Sequence, residues 1–306
     1  MARYFAIRVA ESLIAIWGVL TIVFAAARLT GDPAVLMLPV GASLQQLQDF
    51  RREAGLDRPI LEQYLSFLSH AIRGDFGESL LHHQPAFNVV IERMPATIQL
   101  AVTALTFGIL LGGVMGFVAA RKRGTFVEFC AMTIALLGQA MPVFWLGIML
   151  VIVFSVQLGW LPTGGRSGFV SLILPAFTLA VFTSASVARL LRSSMIEVLQ
   201  QDYVRTARAK GMFQRTIYLR HVMRNALIPV VTMIGILTGE LLGGAVLIET
   251  IYAWPGVGSA ILLAIESKDF TVVQAAVAII STTFILVNLG VDLLYGVLDP
   301  RIRIAK

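Results

Sequence analysis

Charge is scarce in this sequence. Asp, Glu, Lys and Arg make up 14% of its 306 residues, where a soluble domain of this size carries about 25%. A water-surrounded fold is thereby excluded, and lipid must serve as part of the solvent. Cysteine is limited to Cys130, which excludes an internal disulfide and suits a buried packing role. Histidine is limited to four residues, His70, His82, His83 and His221. The adjacent His82 and His83 diverge on any helix or strand, and no Cys or further His supports them, so no metal site is expected. The chain lacks a Gly-x-x-x-x-Gly-Lys-Ser/Thr phosphate loop and has no Gly-Lys pair at all, so it is not expected to bind ATP itself. No His-Glu-x-x-His, Gly-x-Ser-x-Gly or paired-carboxylate constellation points to an enzyme. Nor is there a chain of intramembrane carboxylates and histidines of the kind a gradient-driven transporter needs.

What the chain has instead is long apolar runs. Hydrophobic residues make up 57% of it, and mean hydropathy is +0.82. Backbone in lipid must satisfy its own hydrogen bonds, which leaves helices or closed barrels. Barrel strands alternate polar and apolar residues, and these runs are continuous, so the fold class is an all-α integral membrane protein. A span needs about 20 mainly apolar residues. Six runs qualify: Val9–Leu29, Thr97–Ala120, Phe126–Leu158, Leu172–Leu191, Ala226–Ile248 and Val272–Leu294. The third is long enough to be tilted or bent, and Pro142 offers the bend. With the N-terminus inside, 16 of the 24 Lys and Arg residues fall on the cytosolic side, from Arg3 through Arg121-Lys122-Arg123 and the Arg189–Arg224 stretch to Lys306. The positive-inside rule then puts both termini in the cytosol. This asymmetry accounts for the net charge of +6 without nucleic acid. The first run is read as a retained span despite the small residues Ala25-Ala-Ala27, because its apolar core exceeds the roughly 7–15 residues of a signal peptide.

Between the first two spans, Thr30–Met94 is expected to lie outside. It includes short amphipathic helices at Leu44–Arg52 and Ile60–Ile72, and serves either as a cap or as a docking or gating surface. The expected organisation is residues 1–93 as an N-terminal span with this external segment, and 94–306 as a core. Gly108, Gly112 and Gly116 share one helix face, and Gly235, Gly239 and Gly243 share another; such faces let backbones approach closely. Pro142, Pro175 and Pro229 can each kink or break a helix. Arg28, at the outer end of its span, can snorkel. Glu240 lies well inside the fifth run, where a carboxylate is costly and must face a cavity or a partner. It either lines a translocation path or ties helices together.

The segment Gln201–Gly211 is polar, basic and helix-forming, yet lies between two spans. Tyr203, Val204 and Ala207 share one face of its expected helix, and Arg205 and Arg208 point elsewhere. Gly211 stands where the helix stops. Met212 and Phe213 follow as apolar residues in need of cover. Such a helix can plug into a groove on a soluble partner, apolar side first. Bulk at Ala207 or Gly211 is expected to uncouple the partner's work from movement of the spans while leaving insertion intact.

Tyr203-Val-Arg-Thr-Ala-Arg-Ala-Lys-Gly211, followed by Arg220-His-Val-Met-Arg-Asn-Ala-Leu-Ile-Pro229, resembles the coupling-helix region of ABC importer permeases, and within them the dipeptide/oligopeptide/nickel branch. Further stretches resemble that branch: Gly31-Asp-Pro33, Gly55-Leu-Asp57, Gly74-Asp-Phe-Gly77, Met94-Pro-Ala-Thr97, Met141-Pro-Val-Phe-Trp145, Trp160-Leu-Pro162, Glu249-Thr-Ile-Tyr-Ala-Trp-Pro-Gly256 and Leu298-Asp-Pro-Arg301. Arg205-Thr206-Ala207 stands where the general permease pattern has Glu-Ala-Ala, and Pro229 comes later than that pattern's Leu-Pro. The resemblance implies a six-helix type I importer permease in a bacterial cytoplasmic membrane. It also implies ATPase-coupling residues Asp202, Tyr203, Val204, Arg205, Thr206, Ala207, Arg208, Ala209, Lys210, Gly211 and Met212. Implied partners are a second, related permease subunit, two ATPase subunits that hold ATP and Mg, and an extracytoplasmic binding protein. Small peptides are the cargo expected of this branch, with nickel or metal chelates, opines and sugars as alternatives. A gradient-driven transporter, a membrane enzyme and a non-transporting anchor for a signalling ATPase are the rival readings.

Overall fold

A computed structural model describes residues 2–29, 35, 43–53 and 55–298. The Gly31-Asp-Pro33 and Asp299-Pro-Arg301 motifs lie outside the described residues. Among the described residues there are helices and no strand. Five helices are long and apolar enough to cross a membrane, and a bent pair supplies a sixth span when counted as one. The chain divides into two compact units, residues 1–97 with 255–306, and residues 98–254.

In the first unit, α1 (Ala2–Leu29) packs along the last helix, α11 (Phe270–Leu298). Two amphipathic helices follow α1, as the sequence pattern predicts: α2 (Leu44–Glu53) and α3 (Ile60–Ile72). α3 leans on α1 through an aromatic run. Phe24 meets Tyr64 at 5.3 Å and Phe67 at 5.5 Å, and Tyr64 OH shares a 2.7 Å hydrogen bond with Thr21 Oγ1. The start of α4 (Ala86–Arg121) packs Ala86, Val89, Val90 and Met94 against Val257 and Ala264 of α10 (Val257–Glu266) and Val272, Ala275 and Ala276 of α11.

α4 begins earlier than the apolar run. The helix starts at Ala86, well before Thr97, so Ala86–Met94 is helical and continuous with the second span. The apolar pattern hid this, because Glu92 and Arg93 interrupt it and Pro95 reads as a breaker. In fact Pro95 sits inside the helix.

The buried carboxylate of Asp269 organises the turn leading into α4. It accepts hydrogen bonds from Ser79 Oγ at 2.5 Å and Leu81 N at 3.2 Å on one oxygen, and from Thr271 Oγ1 at 2.7 Å and Val272 N at 3.4 Å on the other. It therefore caps α11 and tethers the Ser79–Leu81 turn at once.

In the second unit, α7 (Phe169–Leu199) is the buried centre and packs most closely against α9 (Met223–Ile251). α4 approaches α7 on its glycine face. A Cβ at Gly116 would come within 2.6 Å of the Ala188 carbonyl, one at Gly112 would collide with the Ser184 carbonyl, and one at Gly108 with the Thr183 side chain. Gly235 and Gly239 are buried in α9. The third apolar run breaks where Pro142 predicts: α5 (Phe126–Ala140) and α6 (Val143–Leu150, continuing as π-helix Val151–Gln157) meet at a bend of 101°. Pro175 and Pro229, by contrast, lie inside continuous helices. Tyr252, just after α9, lies with its hydroxyl 3.1 Å from the Gly147 carbonyl and 2.9 Å from Thr178 Oγ1, joining α6 and α7.

Candidate coupling surface and intramembrane carboxylate

The segment after α7 forms a short helix, α8 (Asp202–Ala209). Local chemistry sets both ends. Asp202 lies in the first turn and Arg208 in the last, each favourable to the helix dipole. The stop is a Schellman turn. Met212 N donates to Ala207 O at 3.3 Å, Gly211 N donates to Arg208 O at 3.0 Å, and Gly211 takes φ +75°, a left-handed conformation that glycine adopts at little cost.

The helix is amphipathic, but its apolar side faces inward. Val204 and Ala207 are buried in a cluster with Leu191, Met195 and Val198 of α7 and with Ile217, Val222 and Ala226. Met212 packs on the same cluster. This corrects the expectation that the apolar side meets a partner. The physical reason is that an eight-residue helix between two spans needs its own anchor, and the ends of α7 and α9 supply one. The exposed side carries Asp202, Arg205, Thr206, Arg208, Ala209 and Lys210, followed by Phe213, 84% exposed. Arg205 and Asp202 sit 3.7 Å apart, both in solvent, a pair of little energetic consequence.

Tyr203 has an intermediate role. Its hydroxyl receives a 2.6 Å hydrogen bond from Asn225 Nδ2 and donates to the His221 carbonyl at 3.3 Å. That carbonyl belongs to a π-helical turn, Ile217–Val222, which leads from Gln214–Thr216 into α9. α8 is thus joined to the start of α9 by apolar packing and by these two bonds.

A second polar joint escaped the sequence reading. Arg192 of α7 donates through Nε to Glu128 Oε1 at 2.6 Å and also pairs through Nη2, while Gly124 N donates to Glu128 Oε2 at 2.6 Å. This ties the start of α5 to α7. The signal was present as Thr125-x-x-Glu128 before an apolar run, a capping-box pattern, although here Glu128 reaches Gly124.

Glu240 lies about 24 Å along the helix axis from Arg224 and about 18 Å from Tyr252, at 1.5 Å per residue. Its side chain is exposed on α9 and has no hydrogen-bond or ion-pair partner among the described residues. His82 and His83 lie in the turn before α4, and among the described residues no group of three His, Cys, Asp or Glu side chains could hold a metal.

Residues 90–304 match the family described as binding-protein-dependent transport system inner membrane component. The glutathione transport system permease protein GsiC of Escherichia coli (strain K12) is 41% identical over 275 residues, covering 90% of each chain. The same figures hold for GsiC of Shigella dysenteriae serotype 1 (strain Sd197). Among solved structures, an inward facing MetNI methionine ABC transporter superposes with a TM-score of 0.56 at 15% identity, over 69% of this chain and 96% of that one. An amino acid ABC transporter with histidines gives 0.53 at 16% identity, over 70% and 94%. These two likenesses concern the fold. The chain belongs to the binding-protein-dependent transport system inner membrane component family, and is the permease component of an ABC importer.

Proposed function

We propose that this permease imports small peptides of glutathione size, delivered by an extracytoplasmic binding protein and driven by two ATPase subunits that hold ATP and Mg. The 41% identity to GsiC across 90% of both chains carries this reading. A second, related permease subunit completes the pore, and both termini face the cytosol, in keeping with the 16 of 24 basic residues gathered on that side.

In this reading α8 is the lever. Its inner face is fused to the ends of α7 and α9, and burying Val204 alone is worth about 1.5–3 kcal/mol. A push on the exposed basic face and Phe213 therefore moves both spans together rather than bending a loop. Contact with the ATPase falls to Arg205, Arg208, Lys210 and Phe213, while Val204, Ala207 and Met212 transmit.

The test is uptake into proteoliposomes containing the whole complex with its binding protein. Labelled glutathione and dipeptides are expected to accumulate with ATP and to persist when an ionophore collapses ion gradients. Accumulation of nickel but not peptide, or uptake that survives ATP depletion and ends with the ionophore, would contradict the proposal.

A further inference from the structure

Glu240 has no counter-charge or hydrogen-bond partner among the described residues. It is exposed about halfway along α9, where contact with lipid is strongly disfavoured. The other described acidic side chains of residues 98–254 are placed differently. Glu128 is paired with Arg192. Glu197 and Asp202 lie at the α7–α8 junction. Glu249 is fully buried. No Lys or Arg occurs between Asn225 and Ile251, between Phe126 and Leu158, between Phe169 and Ala188, or between Phe270 and Leu298. A second copy of this chain would therefore also lack a basic residue at this depth in those segments. A cation for Glu240 from outside these segments, carried by a passing molecule, fits the site.

The neighbouring positions suit a passing ligand. Ile236 and Leu247, one and two turns from Glu240 on the same side, are exposed and apolar, and Gly243 and Gly244 follow at i+3 and i+4. The helix thus presents one fixed anionic group among apolar neighbours, with two positions on its own side, one turn on, that lack side chains.

We infer that Glu240 receives the ammonium group of the cargo in transit, so that this chain selects molecules with a free amino terminus. The inference rests on the peptide reading above and deepens it. A carboxylate–ammonium hydrogen bond is charge-assisted and strong away from bulk water. It forms as the cargo leaves its delivery protein and breaks when the amine reaches water on the far side. No covalent step is involved.

The experiment compares Ala-Ala with N-acetyl-Ala-Ala in proteoliposomes holding the complete complex, either wild type, E240Q or E240D. Subunit assembly is checked by size-exclusion chromatography. Wild type is expected to prefer the free amine. E240Q is expected to lower kcat/KM for Ala-Ala about tenfold with the complex assembled, and E240D to keep most of the preference. If wild type refuses the acetylated peptide outright, the loss on Ala-Ala decides alone. Unchanged Ala-Ala uptake in E240Q, or an equal loss on both peptides, overturns the inference. Dissociation of the E240Q complex overturns it in favour of a salt bridge to a different permease subunit. A wild-type complex that moves neither peptide overturns the peptide reading, and this inference with it.

Discussion

Asp269 joins parts of the chain 190 residues apart through its bond to Ser79. Burial alone would raise its pKa, but the hydrogen bonds from Ser79, Thr271, Leu81 N and Val272 N together outweigh burial and hold the carboxyl below its ordinary value. The ionised form is therefore the one the fold prefers. Its contribution is complete above the unfolded aspartate value, about 3.9, and is lost as pH falls through the lower folded value. Amide exchange should show Leu81 and Val272 protected at neutral pH and released in acid. In D269N one acceptor becomes a donor facing donors, which costs about 1–3 kcal/mol. Protection at one of the two amides should then be weak at neutral pH, and the acid step should disappear. Gly211 is the second residue whose role is local. No atom lies within 4 Å of a Cβ built there, so substitution meets backbone strain alone. G211A should cost about 1–2 kcal/mol and G211N less, seen as an ordered drop in thermal midpoint.

At the scale of elements, the α4–α7 contact makes a sharp contrast. A side chain at Gly112 meets the Ser184 backbone, whereas one at Gly113 meets nothing within 4 Å. G112V should lower the thermal stability of the purified complex by about 1–3 kcal/mol, and G113V should leave it unchanged; equal effects would mean that the close approach is not what holds these helices. This contact was legible in advance, because four-residue glycine spacing is a local pattern. So were α2, α3, the bend at Pro142 and the stop at Gly211, each marked by residues within a turn or two. What could not be read was tertiary. Nothing in Asp202–Ala209 says whether Val204 and Ala207 face a partner or their own spans, since amphipathicity marks a buried face without naming what buries it. The Asp269 tether and the Glu128–Arg192 pair join residues 190 and 64 positions apart, and such pairings leave no periodic trace. The start of α4 was lost for the opposite reason, because Glu92, Arg93 and Pro95 imitate a boundary that the helix ignores.

At the scale of the whole molecule, the proposed coupling is mechanical: work done by a separate ATPase would enter through the exposed face of α8 and reach α7 and α9 through its buried face. The two faces should then separate genetically. Changes at Arg205, Arg208 or Phe213 should weaken the ATPase contact in a folded permease, and a charge at Val204 should detach the helix itself. The most direct measurement places a single thiol on the outer face, Arg208→Cys, in a chain whose own thiol is removed by Cys130→Ala, and follows cross-linking in membranes containing the complete complex. The account predicts a cross-link to the ATPase subunit that varies with nucleotide, and no labelling of the thiol by an impermeant reagent applied to the extracytoplasmic side. Labelling from that side, or a thiol that reaches no ATPase subunit under any nucleotide condition, would contradict it.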